Sequence, residues 1–113
     1  MDNRKDSRRL PFRKRVRYGS NNPSMLGYVA NISENGIKIE GYKVFPRGTR
    51  IVIYMYLGET HIDDGSMGEV IVLDGIVSWT SPTLPGVLPR MGVKITSRND
   101  ELKRIYKDKA NYN

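Results

Sequence analysis

Short apolar runs with period-two alternation, broken by glycine and proline, set the texture of this chain. Arg13–Tyr18 reads as a first strand that ends at the turn-rich Gly19-Ser20-Asn21-Asn22-Pro23-Ser24. Met25–Ile32 is a second, with Leu26, Tyr28 and Ala30 on one face, and Gly36–Glu40 a third, with Ile37 and Ile39 pointing together. Ile51–Leu57 gives the clearest pattern, since Ile51, Ile53, Met55 and Leu57 alternate with Val52, Tyr54 and Tyr56. Glu69–Thr80 is one long strand or two. Asp74-Gly75 is a hairpin signal, but a bulge at Gly75 that bends one long strand is preferred, because curvature helps a small sheet close. After the proline-rich loop Pro82–Pro89, Met91–Ile95 is the last strand.

The period then changes. Leu102, Ile105 and Tyr106 fall on one helical stripe, behind Ser97-Arg98-Asn99-Asp100, which resembles a capping box. Lys103, Arg104, Lys107 and Lys109 suit the negative end of the helix dipole. The expectation is a small all-β domain with a short C-terminal helix lying across one open end. The divisions are a basic arm at 1–12, a β-domain at 13–96 and the helix and tail at 97–113.

At 113 residues the chain holds one core. It has no apolar run long enough to span a membrane, no apolar leader segment and no cysteine, which together favour a cytoplasmic protein. His61 is the one histidine, in the polar stretch Gly58–Gly65, which reads as a solvated loop and not as a metal site. No nucleophile–base set and no paired acids with an evident cleft are present, so an enzyme is not expected.

Charge changes this picture more than composition does. Met1–Arg17 carries eight basic and two acidic side chains, a net of +6 out of +7 for the whole chain. The remainder has eleven basic and ten acidic groups and is nearly neutral. Arginine outnumbers lysine six to two in this flexible arm, and its planar fork suits phosphates and guanine edges. Leu10, Pro11 and Phe12 let part of the arm dock on apolar surface, which a merely solubilising tail does not need. Farther on, Asn31 offers an amide that can pair with a nucleobase edge, and Ser33 offers a hydroxyl that can donate to a phosphate or base. Gly36 admits a positive φ and close approach of backbone to a flat ligand. An ordinary turn explains the same three residues.

Arginine pairs four apart, followed by Asn31-x-Ser33-x-x-Gly36 entering a strand, resemble the PilZ domain family. Gly75-Ile76-Val77-Ser78-Trp79 and Arg90-Met91-Gly92-Val93-Lys94-Ile95 are similar to that family's last strands. The resemblance spans about Arg4 to Ile95. It implies a six-stranded antiparallel β-barrel that binds the bacterial second messenger cyclic di-GMP between the arm and the barrel surface, and signals to a downstream protein partner. Asn31, Ser33 and Gly36 match the turn motif. Leu10-Pro11-Phe12 looks like the family's step into the first strand, which favours Arg4 and Arg8, with Arg9 adjacent, although Asp6 would then sit near the anionic ligand. Arg9 and Arg13 are the alternative pair; Arg13 and Arg17 also have the spacing. A rival reading is a nucleic-acid-binding barrel that uses Tyr28, Tyr54, Tyr56 and Trp79 as a stacking platform. It is disfavoured because their alternation with apolar residues suits core or sheet packing better. A third reading keeps the fold but acts through protein contacts alone.

Overall fold

Alternating side chains become a barrel in the computed structural model, which describes residues 10–58, 69–82, 84–97 and 99–112. The strands are β1 (Leu10–Gly19), β2 (Met25–Ile32), β3 (Gly36–Gly41), β4 (Arg50–Tyr56), β5 (Val70–Thr80) and β6 (Arg90–Ile95), followed by helix α1 (Asn99–Tyr112). All neighbours are antiparallel, and the sheet closes in the order β1-β2-β3-β6-β5-β4, with β1 pairing both β2 and β4. Inward positions form one core: Val16 and Tyr18 from β1, Ile37 and Ile39 from β3, Ile51, Ile53 and Met55 from β4, with partners from the other strands. Burying each such side chain contributes about 1.5–3 kcal/mol.

The expected strands are present with shifted edges. β1 starts at Leu10, so Leu10-Pro11-Phe12 lies within the strand, where Leu10 is buried against the barrel end. Leu26 and Tyr28 do share a face, and it is the outer one, since Val29 and Ile32 point inward and are fully buried. β5 is a single strand, but its bulge is not at Gly75. Gly75 pairs in regular register with Ile51 and with Ile95, whereas the slip falls at Ser78, between Val77 and Trp79. Glycine is needed at 75 for closeness: a Cβ there would sit 2.5 Å from Val93 Cγ1 and 2.8 Å from the Lys94 carbonyl oxygen.

Each barrel end is closed by a different device. At the end where β1 begins, α1 touches β1, and Leu102 and Ile105 bury into the core with Tyr106 packed against it. The Ser97 hydroxyl, expected to cap this helix, instead donates to Asp74 Oδ2 at 2.9 Å and accepts from the Asp74 N–H at 3.1 Å, pinning the helix approach to β5. At the other end the fully buried Tyr18 ring passes over the paired glycines Gly27 and Gly41, meets Phe45 edge-on at 6.2 Å, and donates its hydroxyl to the Lys43 carbonyl. Burial raises the Tyr18 pKa above its usual 10.0, against a smaller lowering by the hydrogen bond to Lys43.

Both end closures can be tested by unfolding. Leu102→Ala should cost about 2–5 kcal/mol in urea; an unchanged midpoint would mean that α1 is not part of the core. Because the raised Tyr18 pKa favours the neutral phenol in the folded state, its contribution is full below pH 10.0 and is lost as pH rises through the folded pKa. Tyr18→Phe should therefore flatten the fall in unfolding free energy above pH 10.0, and an equal fall in both proteins would refute the assignment.

Candidate functional site

Three of the six strand interfaces contain an irregularity in register, and all three lie around one patch of the outer surface. Between Pro11 and Lys14, β1 has one residue more than β2. Between Val29 and Asn31, β2 has one more than β3, and between Val77 and Trp79, β5 has one more than β6. A bulge reverses the inward–outward parity of the residues beyond it, and so re-aims their side chains. Asn31 and Trp79 stand just beyond their bulges and are re-aimed in this way, whereas along β1 the alternation runs unbroken from Leu10 to Tyr18 and Arg13 is outward like Arg15 and Arg17.

The ladders put these residues on a common face. Asn31 pairs with Pro11 on one side and Lys38 on the other; Lys38 pairs with Gly92, and Gly92 with Trp79. Lys38 stands between the inward Ile37 and Ile39, so this row points outward. Asn31 and Lys38 are half-buried, and Trp79 keeps 38% of its surface exposed. The indole lies against Gly92, where a Cβ would be 2.0 Å from its Nε1, and the bulged Ser78 hydroxyl donates to the Gly92 carbonyl at 3.2 Å. Gly92 is thus the floor under the tryptophan.

Arg13 borders this row from β1. Its guanidinium carbon is 4.2 Å from the centre of the Tyr28 ring, and its Nη1 is 3.8 Å from Glu40 Oε1. Arg15 and Arg17, also outward, pair with Tyr28 and Leu26. A groove of about 550 Å³ is lined by Arg13, Lys14, Arg15, Tyr28 and Tyr56, within the range of small-ligand sites. The arrangement offers guanidinium forks, an ammonium, an amide and an exposed indole face, which together suit a planar anionic ligand.

The turn after β2 works differently from the sequence expectation. Ser33 is buried, its N–H donates to the Gly36 carbonyl at 2.9 Å, and its hydroxyl donates to that same oxygen at 3.3 Å. The Gly36 N–H donates back to Ser33 Oγ at 3.2 Å. The single hydroxyl proton of Ser33 is thereby used inside the turn, leaving acceptor capacity only. Gly36 is not at positive φ; among the described glycines only Gly48 and Gly86 are. What requires glycine at 36 is the β6 backbone, because a Cβ would lie 2.7 Å from the Val93 carbonyl oxygen. The Asn35 carbonyl accepts from the Ile95 N–H at 2.9 Å, which ties the turn to β6. Ser33 and Gly36 hold the turn, and Asn31 faces out from it.

Arg4, Arg8, Arg9 and His61 lie outside the described residues. Of the arginines expected to bind ligand, Arg13 is the one whose position is described, over Tyr28 and toward Glu40, two residues along β1 from the Pro11 that pairs with Asn31. Lys38 was not singled out in the sequence, and Tyr28 and Trp79 entered only as stacking residues of the nucleic-acid reading. Lys38 was legible as the outward residue between two inward isoleucines. Tyr28, Tyr54, Tyr56 and Trp79 all lie on the outer surface and none is in the core, so of the two kinds of packing expected for them only packing on the sheet applies, as at Trp79. No helix among the described residues is long and apolar enough to cross a membrane.

The family model of the PilZ domain matches residues 2–108. Among solved structures, the inhibitor of motility MotI/DgrA of Bacillus subtilis is similar with a TM-score of 0.72 at 14% identity, over 99% of this chain and 53% of that one. The chain therefore spans about half the length of MotI. The PilZ domain of YcgR from Escherichia coli, determined with c-di-GMP, is similar with a TM-score of 0.69 at 15% identity, over 98% of this chain and 94% of that one. At these identities the likeness is one of fold. No curated protein matches the chain.

Ser33→Ala strands the Gly36 N–H, and Gly36→Ala drives a methyl into the Val93 carbonyl; each should cost about 1–3 kcal/mol of stability with no ligand added. Thermal melts that leave both variants at the wild-type midpoint would show that the turn has no such structural role.

Proposed function

Because the chain belongs to the PilZ domain family, we propose that it is a non-enzymatic receptor for cyclic di-GMP, bound on the outer face that carries Arg13, Asn31, Lys38 and Trp79. The observation that carries this reading is the convergence on that face of two bulges, which turn Asn31 and Trp79 outward, beside the outward Arg13 of the irregular β1–β2 pairing. Support also comes from the YcgR domain, which shares the fold and was determined with the same nucleotide.

Cyclic di-GMP brings two phosphates and two guanines. The Arg13 fork would take phosphate oxygens or the O6 and N7 of a guanine, and Lys38 would add a point charge beside it. Asn31 can accept from and donate to a guanine edge, and the Trp79 ring offers a surface for a purine. The turn of Ser33 and Gly36 would act by holding Asn31 in place. The arginine pair is then Arg9 and Arg13, in preference to Arg4 and Arg8: Leu10-Pro11-Phe12 lies within β1, Pro11 stands next to Asn31, and the two residues flanking that step are Arg9 and Arg13. Binding would order a self-repelling arm by neutralising it, and the joint surface of arm and barrel would be read by a downstream protein.

Calorimetric titration of the full chain with cyclic di-GMP tests this. Arg9→Ala, Arg13→Ala and Asn31→Ala should each weaken binding by roughly ten- to a hundredfold, since a hydrogen bond to a charged group contributes about 1.5–3 kcal/mol. Arg4→Ala should change it far less. No binding by the wild-type chain refutes the receptor reading, and an intact Arg9→Ala beside a weakened Arg4→Ala returns the choice to Arg4 and Arg8.

A further inference from the structure

A second groove, of about 650 Å³, adjoins the Arg13 groove, shares Arg15, Tyr28 and Tyr56 with it, and extends away from Asn31, Lys38 and Trp79. Its lining includes Leu26, Tyr42 and Leu88, with Arg15 and Arg17 along one side and Glu40 on the other. Leu26 is 63% exposed and Tyr42 87%, whereas Val29 of β2 and Ile39 of β3 are fully buried on the inner face. The Gly41 N–H donates to the Pro89 carbonyl at 3.1 Å, which holds the loop carrying Leu88 against the end of β3. Val87, its neighbour in that loop, is half exposed. Large aliphatic side chains concentrated in a polar-rimmed concavity mark an interaction site.

We propose that this groove docks an acidic amphipathic helix of a partner protein, an inference that does not depend on nucleotide binding. Charge selects the sign of the partner: Arg15 and Arg17 project from β1 onto the rim, against the single carboxylate of Glu40. The fold selects its form. The sheet under the groove is paired from β1 through β2 to β3, so no strand edge faces an extended segment there, and recognition goes through side chains. A helix presenting leucines at i, i+3 and i+7 fits its apolar face to Leu26, Tyr42 and Leu88 while its flanking carboxylates meet the arginines.

Other occupants fit less well. A single-stranded nucleic acid needs successive open aromatic faces, yet Arg13 covers one face of Tyr28, and Tyr42 is the one strongly exposed ring of the groove, beside the aliphatic Leu26 and Leu88. A bilayer surface is flat and does not enter a concavity. A second copy of this chain would bring a net charge of +7 against a basic rim.

Amide spectra of the ¹⁵N-labelled full chain, titrated with a synthetic Glu/Leu amphipathic helical peptide, test the proposal. Shifts should cluster at Arg15–Arg17, Leu26–Tyr28 and Gly41–Tyr42, and a Lys/Leu peptide of the same pattern should not bind. Leu26→Glu and Arg17→Glu, both at exposed positions, should each weaken the Glu/Leu peptide roughly tenfold or more while keeping the wild-type melting temperature. Tyr42→Ser serves as a third variant should either of these fail to fold. The proposal is overturned by shifts centred elsewhere, by equal binding of a Glu/Ala peptide, or by peptide affinity indifferent to all folded variants. Oligothymidylate, phosphatidylglycerol vesicles or self-association that engage the same residues more tightly than the peptide overturn it as well.

Discussion

Ring closure between β1 and β4 is the constraint on which the rest of this structure depends. A closed sheet has one inside, so every strand must keep its parity or spend a bulge to change it. Most of the barrel keeps parity: Ile51, Ile53 and Met55 fill the interior in strict alternation, and β4 pairs with both neighbours without a slip. Closure also leaves two ends rather than two edges. They are stopped by unlike means, Leu102 and Ile105 of α1 at one end and the Tyr18 ring over Gly27 and Gly41 at the other. The outer surface is thereby released from packing duties and can be composed for binding.

Bulges are where that freedom is used. Each costs a stretch of regular ladder, and those in β2 and β5 turn a chemically useful side chain outward on the same patch. Asn31 faces out because Ala30 is bulged, and Trp79 lies over Gly92 because Ser78 is. The glycines are the counterpart. Gly36 and Gly92 stand where another group comes too near for a methyl, the Val93 carbonyl in one case and the indole in the other.

That difference explains what the sequence could and could not disclose. Alternation is local, so Ile51–Leu57 and Met91–Ile95 are legible from their own residues, and the change to helical spacing at Leu102 and Ile105 is equally plain. A bulge is a relation between two strands. Gly75, beside Asp74, carried the local mark of one, but the slip is at Ser78, which carries none. Likewise Ser33 and Gly36 were legible as a motif while their work was not: whether a serine proton reaches a ligand or a carbonyl three residues on depends on how the turn closes. Leu10-Pro11-Phe12 read as a step into the first strand through its likeness to the family; β1 takes it in, and admits Pro11 near its start, where the pairing is already irregular. Arg4, Arg8 and Arg9 keep their sequence reading only, since they lie outside the described residues.

Arg13 shows how such a surface can be prepared without being locked. Stacking on Tyr28 and the long contact to Glu40 are both solvent-accessible, with 63% of the arginine side chain exposed. An exposed cation–π contact is worth about 0.5–1 kcal/mol, and an exposed ion pair about 0–1 kcal/mol. A hydrogen bond to a charged group contributes about 1.5–3 kcal/mol, so a phosphate that engages the fork exceeds either resting contact. Tyr28 can remain stacked meanwhile, because the guanidinium edge and face are used by different partners. The pairing with Glu40 is the one that must yield. In the proposed site the carboxylate would set a modest threshold, giving way to an anion that can use both prongs.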